Sequence, residues 1–229
     1  MTLHEHPALE QGSDQWLEQR RGIVTASVVG QLLTATGRPA SNDTSRRLTL
    51  SLVAERITGD VELVFMNDDM WRGHEVEPIA RGLYAKDFAD EPVTTTGFMV
   101  RDDWGFPIGY SPDGLVGDHG LLEVKAPRAK AHLATILADQ VPAHHMAQLQ
   151  TGLLVSGREW IDFLSYYGGM PPYIKRVYAD PKWAESIVDA VAAFEQQAVE
   201  MTLTYDVATR GIPSTPRLDD PNTVELKLA

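Results

Sequence analysis

Two carboxylates and a lysine stand close together in the middle of this chain. Ser111-Pro112-Asp113-Gly114 is followed nine residues later by Glu123-Val124-Lys125. Carboxylate oxygens hold hard cations such as magnesium. A lysine ammonium steadies the negative charge that develops when water attacks a phosphodiester. This is the residue set of a metal-dependent phosphodiesterase, so the first reading is a protein that cuts nucleic acid. The competing reading is a solvated hairpin with a salt bridge, because an isolated D…ExK pattern is common by chance.

The elements around the pattern must decide whether these side chains meet. Pro107 to Ser111 and Leu121 to Lys125 read as short strands across a Gly-rich turn. Glu123 and Lys125, two apart on a strand, then share one face. Val124 points to the other, with its carbonyl free to turn toward a metal. If the two strands are neighbours, Asp113 and Glu123 bracket one cation and Lys125 lies beside the water it acidifies. A further acidic ligand is expected from the helical run Trp71-Arg72-Gly73-His74-Glu75-Val76-Glu77. Glu77 is the first choice, with Glu75 and His74 as competitors.

The rest of the chain gives a mixed pattern. Ser13-Asp14 caps a short helix through Gln19, stopped by Gly22, and Thr25-Ala26-Ser27 opens a second through Leu33. Residues 36–42 read as a loop. Leu48, Leu52 and Ile57 recur at helical spacing, ended by Gly59. Asn67 to Phe88 reads as helix, with Pro78 marking a kink or first turn. Val93 to Val100 reads as one strand. Helices follow at about 129–138 and 142–155, then a hairpin of Ile161–Tyr167 and Tyr173–Tyr178, then a long helix from Lys182 to about Leu203. Residues 211–229 are Pro-rich and polar and read as a surface tail or arm on a single domain of residues 1–210. Helices, then strands, then helix–strand–helix predict an α/β (α+β) fold with a central mixed sheet flanked by helices.

Composition bounds the possibilities. The chain has 229 residues, 43% of them hydrophobic, enough for one sizeable core. No apolar run approaches the ~20 residues of a membrane span, and the N-terminus has no basic-then-apolar secretory pattern. A cytoplasmic protein is expected, with no membrane partner. With no cysteine, thiolate zinc, disulfides and iron–sulfur clusters are excluded. The net charge of -12 argues against a protein that coats nucleic acid non-specifically. It leaves room for a nuclease, because cations supply local positive charge. His144-His145 invites a zinc reading, but adjacent residues do not share a helix face. Trp16, Trp71 and Trp160 read as core or interface residues.

Pro112-Asp113…Glu123-Val124-Lys125 resembles the PD-(D/E)xK nuclease core, a restriction-endonuclease-like fold. Four further segments resemble the lambda-exonuclease family in particular, the phage-type alkaline exonucleases and viral recombinases. They are Arg20-Arg21-Gly22-Ile23-Val24-Thr25-Ala26-Ser27, Trp71-Arg72-Gly73…Glu77-Pro78…Ala80-Arg81, Gly109-Tyr110-Ser111-Pro112-Asp113-Gly114-Leu115 and Met146-Ala147-Gln148-Leu149-Gln150. They occur in the family's order and span about residues 14 to 155.

The resemblance implies roles for individual residues. Asp113, Glu123 and the Val124 carbonyl would hold magnesium, and Glu77 would complete a site for two ions, with manganese as a substitute. Lys125 would stabilise or orient the attacking water, and Gln148 would help position both. Arg20, Ser27 and Ser111 would form a pocket for a terminal 5′-phosphate. A guanidinium, two hydroxyls and a helix start all suit a dianion there. Arg38 would contact DNA near its end. The implied activity is 5′→3′ degradation of one strand of linear duplex DNA to mononucleotides, which leaves a 3′ single strand for recombination. The implied partners are DNA ends, a single-strand annealing protein and two further copies in a homotrimeric ring. Two other readings stay open: a structure-specific endonuclease on the same core, and a non-catalytic oligomer that binds DNA ends.

Overall fold

The computed structural model describes residues 2–34, 36–61 and 68–216, and every structural statement below refers to these. Strand β1 (Leu3–His6) leads into α1 (Asp14–Arg20), then β2 (Val24–Thr25) and a 3-10 turn over Val29–Leu32. Helices α2 (Asp43–Thr58) and α3 (Asp68–Asp87) follow. Five strands come next: β3 (Val93–Thr94), β4 (Phe98–Arg101), β5 (Ile108–Tyr110), β6 (Gly114–Val116) and β7 (Gly120–Lys125). The chain then forms α4 (Ala129–Ala138), α5 (Ala143–Ser156), β8 (Trp160–Ser165), β9 (Tyr173–Tyr178) and α6 (Pro181–Ala208).

Local chemistry sets several boundaries. The Ser13 hydroxyl accepts from the Trp16 N–H at 3.2 Å and caps α1. Asn42 and Ser45 cap α2 reciprocally, and Gly59, at φ 74°, ends it in the left-handed conformation. Pro78 lies inside α3, not at its first turn. Nothing in the described helices is long and apolar enough to cross a membrane.

The strands form two sheets, ordered β1-β4-β5-β2 and β3-β6-β7-β8-β9. This corrects three expectations. Residues 25–33 do not form one continuous helix; only Val29–Leu32 coil, as a single 3-10 turn. Val24 and Thr25 instead pair in parallel with Ile108 and Gly109, because these β-branched residues are buried and suit a strand. The stretch 93–100 is two strands, one in each sheet, split at Gly97. A Cβ at Gly97 would stand 2.2 Å from the Leu9 carbonyl oxygen, so only glycine lets the chain pass there. Finally, β5 and β7 are not neighbours. Pro112 has no N–H to continue a ladder, and the chain crosses to the second sheet. There the short β6 becomes the antiparallel partner of β7, with Gly114 opposite Leu122. Asp113 therefore sits at the crossing between the sheets.

Strand β7 lies between β6 and the parallel β8, in register from Gly120↔Trp160 to Lys125↔Ser165. Its two faces are distinct. Leu122 and Val124 pack with Ala80 and Tyr84 of α3, together with Val116 and Leu164. Leu121 joins the larger core, which includes Leu149, Leu153, Phe163, Ile187, Val191 and Phe194. Glu123 shares that second face, toward α5. Each fully buried aliphatic or aromatic side chain contributes about 1.5–3 kcal/mol to holding these layers together.

A buried carboxylate pins α3 to the sheet. Asp162 on β8 accepts from the Tyr84 hydroxyl at 2.6 Å and from Arg176 Nε and Nη2 at 2.9 and 2.8 Å. The Arg176 guanidinium also lies 3.4 Å over the Trp160 ring. Asp162→Ala leaves a buried phenol and a partly buried guanidinium without their acceptor. The expected cost is about 2–3 kcal/mol, read as a shifted urea midpoint. An unchanged midpoint would show that the network contributes no net stability.

Candidate active site

Three elements bring the acidic residues to one cleft of about 820 Å³: α3 carries Glu77, the sheet crossing carries Asp113, and β7 carries Glu123 and Lys125. The Val124 N–H donates to Asp113 Oδ2 at 2.7 Å, which locks the crossing to β7. Glu123 is 1% exposed. Its Oε1 accepts from Lys125 Nζ at 2.8 Å and from Gln148 Nε2, and its Oε2 accepts from the Tyr110 hydroxyl at 3.2 Å. Gln148 thus reaches the same oxygen as Lys125 and acts on the carboxylate, not on the ammonium directly.

Tyr110 needs room to hold this position. A Cβ at Gly152 of α5 would stand 2.8 Å from the Tyr110 ring. A glycine inside a helix costs about 1 kcal/mol relative to alanine. Here it lets α5 approach β5 closely enough to seat the phenol against Glu123.

Arg81, one turn after Glu77, ties the remaining carboxylate in place. Its Nη1 donates to Glu77 Oε1 and to the Asp113 carbonyl, both at 2.7 Å. Arg72 anchors the same helix from the other side, with Nη2 donating to the Ala126 carbonyl at 2.9 Å. Together they hold α3 against the end of β7.

Electrostatics mark this as a site of surplus negative charge. Burial, with Glu123 and Glu77 beside it, pushes the Asp113 carboxyl well above the usual carboxylate range. For Lys125, burial alone would lower the pKa. Glu123, Asp113 and Glu77 outweigh it, and the ammonium is held above the ordinary lysine value. Burial pushes the His145 imidazole down to about 3, helped by Lys125 and His144, so that ring is neutral. Arg20, Arg72, Lys125 and Arg128 line the same cleft as the three carboxylates, so cationic groups gather beside the acidic cluster in a chain of net charge -12.

The donor set fits hard divalent cations, since all three carboxylates are oxygen donors and their mutual repulsion is relieved by added positive charge. The described residues do not yet gather three acidic or imidazole side chains around one point. Arg81, Lys125 and Gln148 occupy the carboxylate oxygens a cation would take. His144 and His145 rings lie 4.0 Å apart on the cleft wall.

The same cleft holds the residues expected to bind a terminal phosphate. Arg20 Nη1 lies 3.5 Å from Ser111 Oγ, and Nη2 lies 3.4 Å from Thr25 Oγ1. Thr25 and Ser27 hydroxyls are 3.1 Å apart. Trp16 is more than a core or interface residue: its Nε1 donates to Ser111 Oγ at 3.0 Å and its ring lies 3.9 Å beneath the Arg20 guanidinium. Burial pushes the Arg20 pKa down to about 10, opposed by Glu55, so the group remains cationic at mildly alkaline pH.

Arg38 does not line the cleft; it sits in the loop before α2, where its backbone N–H donates to Thr34 Oγ1. Trp71 is 59% exposed and so is not a core residue. The sequence reading assigned Thr25, Tyr110 and Arg81 no role of their own at the site, and Trp16 only that of a core or interface residue. Helical spacing was the available signal for two of them: Trp16 is four residues from Arg20, and Arg81 four from Glu77.

The YqaJ-like viral recombinase domain matches residues 15–159 of the chain. No curated protein matches it. Among solved structures it is similar to the alkaline exonuclease LHK-Exo from Laribacter hongkongensis, at 32% identity and TM-score 0.76, over 86% of this chain and 99% of that one. A structure of LHK-Exo in complex with dAMP gives 31% identity and TM-score 0.77, over 86% of this chain and 98% of that one. A phage-related exonuclease from Haemophilus somnus 129PT shares the fold at 15% identity and TM-score 0.60, over 80% of this chain and 96% of that one.

Proposed function

We propose, for a chain that belongs to the YqaJ-like viral recombinase family of phage-type alkaline exonucleases, that it degrades one strand of linear duplex DNA 5′→3′ from phosphorylated ends. What supports this reading is one observation: the phosphate-binding group and the acidic group line a single cleft, with Ser111 two residues from Asp113. A strand whose 5′-phosphate sits at Arg20, Ser27 and Ser111 presents its first phosphodiester to the carboxylates, so each cut releases one mononucleotide.

Magnesium ions held by Asp113, Glu123, Glu77 and the Val124 carbonyl, or manganese in their place, would supply an acidified water and charge for the leaving oxygen. The chain's own groups do the rest. Lys125, kept cationic by its carboxylate neighbours, donates toward the oxygen that gains negative charge. Glu123 orients that ammonium, and Gln148 and Tyr110 fix Glu123. Arg20, held flat by Trp16, presents its fork to the terminal phosphate. The duplex end would be delivered through a homotrimeric ring, and the 3′ strand would pass to an annealing protein.

The test is cleavage of linear duplex with 5′-phosphate ends, linear duplex with 5′-hydroxyl ends, and closed circles. Fast release of mononucleotides from the first and none from the circles is expected. Equal cutting of circles would replace the exonuclease reading with an endonuclease. Lys125→Ala should lower turnover by on the order of 10³-fold, as for loss of a charge-stabilising donor, with the melting temperature within a few degrees of the parent. Undiminished turnover in that variant would remove the lysine from the mechanism.

A further inference from the structure

A second cavity, of about 320 Å³, opens between α4 and α5 beside Lys125. That is the lower end of the size range of small-molecule sites. It is continuous with the main cleft, because Lys125, His144 and His145 line both. Lys125 is the member of the reacting group that borders it; Asp113, Glu123 and the phosphate-binding residues do not. Its walls are apolar, from Ala134 and Ala138 on α4 and Phe163 on β8. The Ser165 hydroxyl in its lining is already paired, 2.8 Å from the buried His132 ring. The His145 and Phe163 rings, both in its lining, stand 5.4 Å apart. Gln140, Thr135 and His144 add polar edges, and the one cationic group in the lining, Lys125, is already paired with Glu123 at 2.8 Å. Such walls suit a flat, mostly apolar group with a few polar atoms at its rim.

We propose that this cavity receives the base of the nucleotide immediately 3′ of the scissile phosphodiester. The proposal rests on the end-directed exonuclease reading, and its logic is directional. With the 5′-phosphate at Arg20 and Ser111 and the reacting phosphodiester at the carboxylates, the strand reaches Lys125, which is bonded to Glu123 at 2.8 Å, and the cavity that Lys125 also lines is open to its next nucleotide. The second base must leave its complementary strand to enter. Its capture therefore pulls the next phosphodiester toward the reacting group and favours one-nucleotide steps.

Three probes test this in equilibrium binding: a 5′-phosphorylated mononucleotide, a 5′-phosphorylated dinucleotide with an uncleavable methylene-phosphonate linkage, and the same dinucleotide without its second base. The complete dinucleotide should bind roughly tenfold or more tightly than the abasic one, on the scale of a base packed against aromatic side chains. Ala134→Phe, which fills the cavity, should shrink that gap below about twofold and leave the mononucleotide affinity unchanged. Ala138→Leu serves the same end if the first variant does not fold. Equal binding of complete and abasic dinucleotides by the parent protein overturns the proposal, as does an undiminished gap in a folded filled variant. The two readings separate on the mononucleotide. If the parent prefers it to the 5′-hydroxyl nucleoside, end recognition stands and only the base site falls. If that preference is missing, both fall.

Discussion

Asp113→Asn is expected to lower strand cleavage by on the order of 10³-fold or more, the scale of losing several kcal/mol of cation-based stabilisation. The same variant should fold at least as well as the parent in chelator. In the metal-free protein the Asp113 carboxyl is raised well above its ordinary value, by burial first and by Glu123 and Glu77 next. An acid with a raised folded-state pKa lends stability at pH values below its unfolded pKa, and that stability is lost as pH rises through the folded value. The parent therefore loses that stability as pH rises through the raised folded value, whereas asparagine carries no charge to desolvate at any pH. The asparagine carbonyl can still accept from the Val124 N–H that now bonds Asp113 Oδ2. Thermal melts with and without magnesium give a second readout. The parent should gain several degrees on adding the cation, and Asp113→Asn much less. Parent-like turnover, or a parent-like gain on adding magnesium, would remove Asp113 from the cation site.

Arg20→Ala should erase the preference for phosphorylated ends. The ratio of kcat/KM for 5′-phosphate over 5′-hydroxyl duplex is expected to fall by about 10²-fold, the scale of a partly buried bond between a guanidinium and a dianion. Nearly all of the loss should fall on the phosphorylated substrate. Arg20→Lys should recover little, because the Arg20 plane lies 3.9 Å over Trp16 and its fork faces both Ser111 and Thr25. Trp16→Phe keeps the ring and removes the N–H to Ser111, so it should fall between the parent and Arg20→Ala. If Arg20→Ala lost rate equally on both substrates, the arginine would be supporting the cleft and not reading the end.

Both expectations begin from residues that were legible in the linear chain, which was accurate about types and spacing. Glu123 and Lys125 share a strand face because side chains alternate, and they are hydrogen-bonded at 2.8 Å. Glu77 comes from the predicted helix, and the capped ends of α1 and α2 lie where Ser13 and Gly59 suggested. Such features are local: a cap, a turn residue or a period of two or 3.6 acts within a few positions. The expected helix at residues 25–33 failed because burial against β5 decided the state of Val24 and Thr25, and local propensity is weaker than that. The single strand over 93–100 failed because the backbone at Gly97 is shaped by the carbonyls of Leu9 and His6, far away in sequence.

The sequence by itself determined which side chains would meet in the cleft: three carboxylates, a lysine, an arginine with hydroxyls, and most of the helices and strands that carry them. Only the tertiary structure decided how those groups are held. Asp113 sits at a crossing between two sheets, immediately before β6, the hairpin partner of β7, and not at the end of a strand that itself pairs with β7. Arg81 holds Glu77, Trp16 supports Arg20, and Tyr110 with Gln148 grips Glu123. Arg81–Glu77 and Trp16–Arg20 are one-turn neighbours on their own helices, which local spacing allows. The grip of Tyr110 and Gln148 on Glu123, and of Trp16 on Ser111, joins elements distant along the chain; it is set by which surfaces are buried together, and no local spacing encodes it.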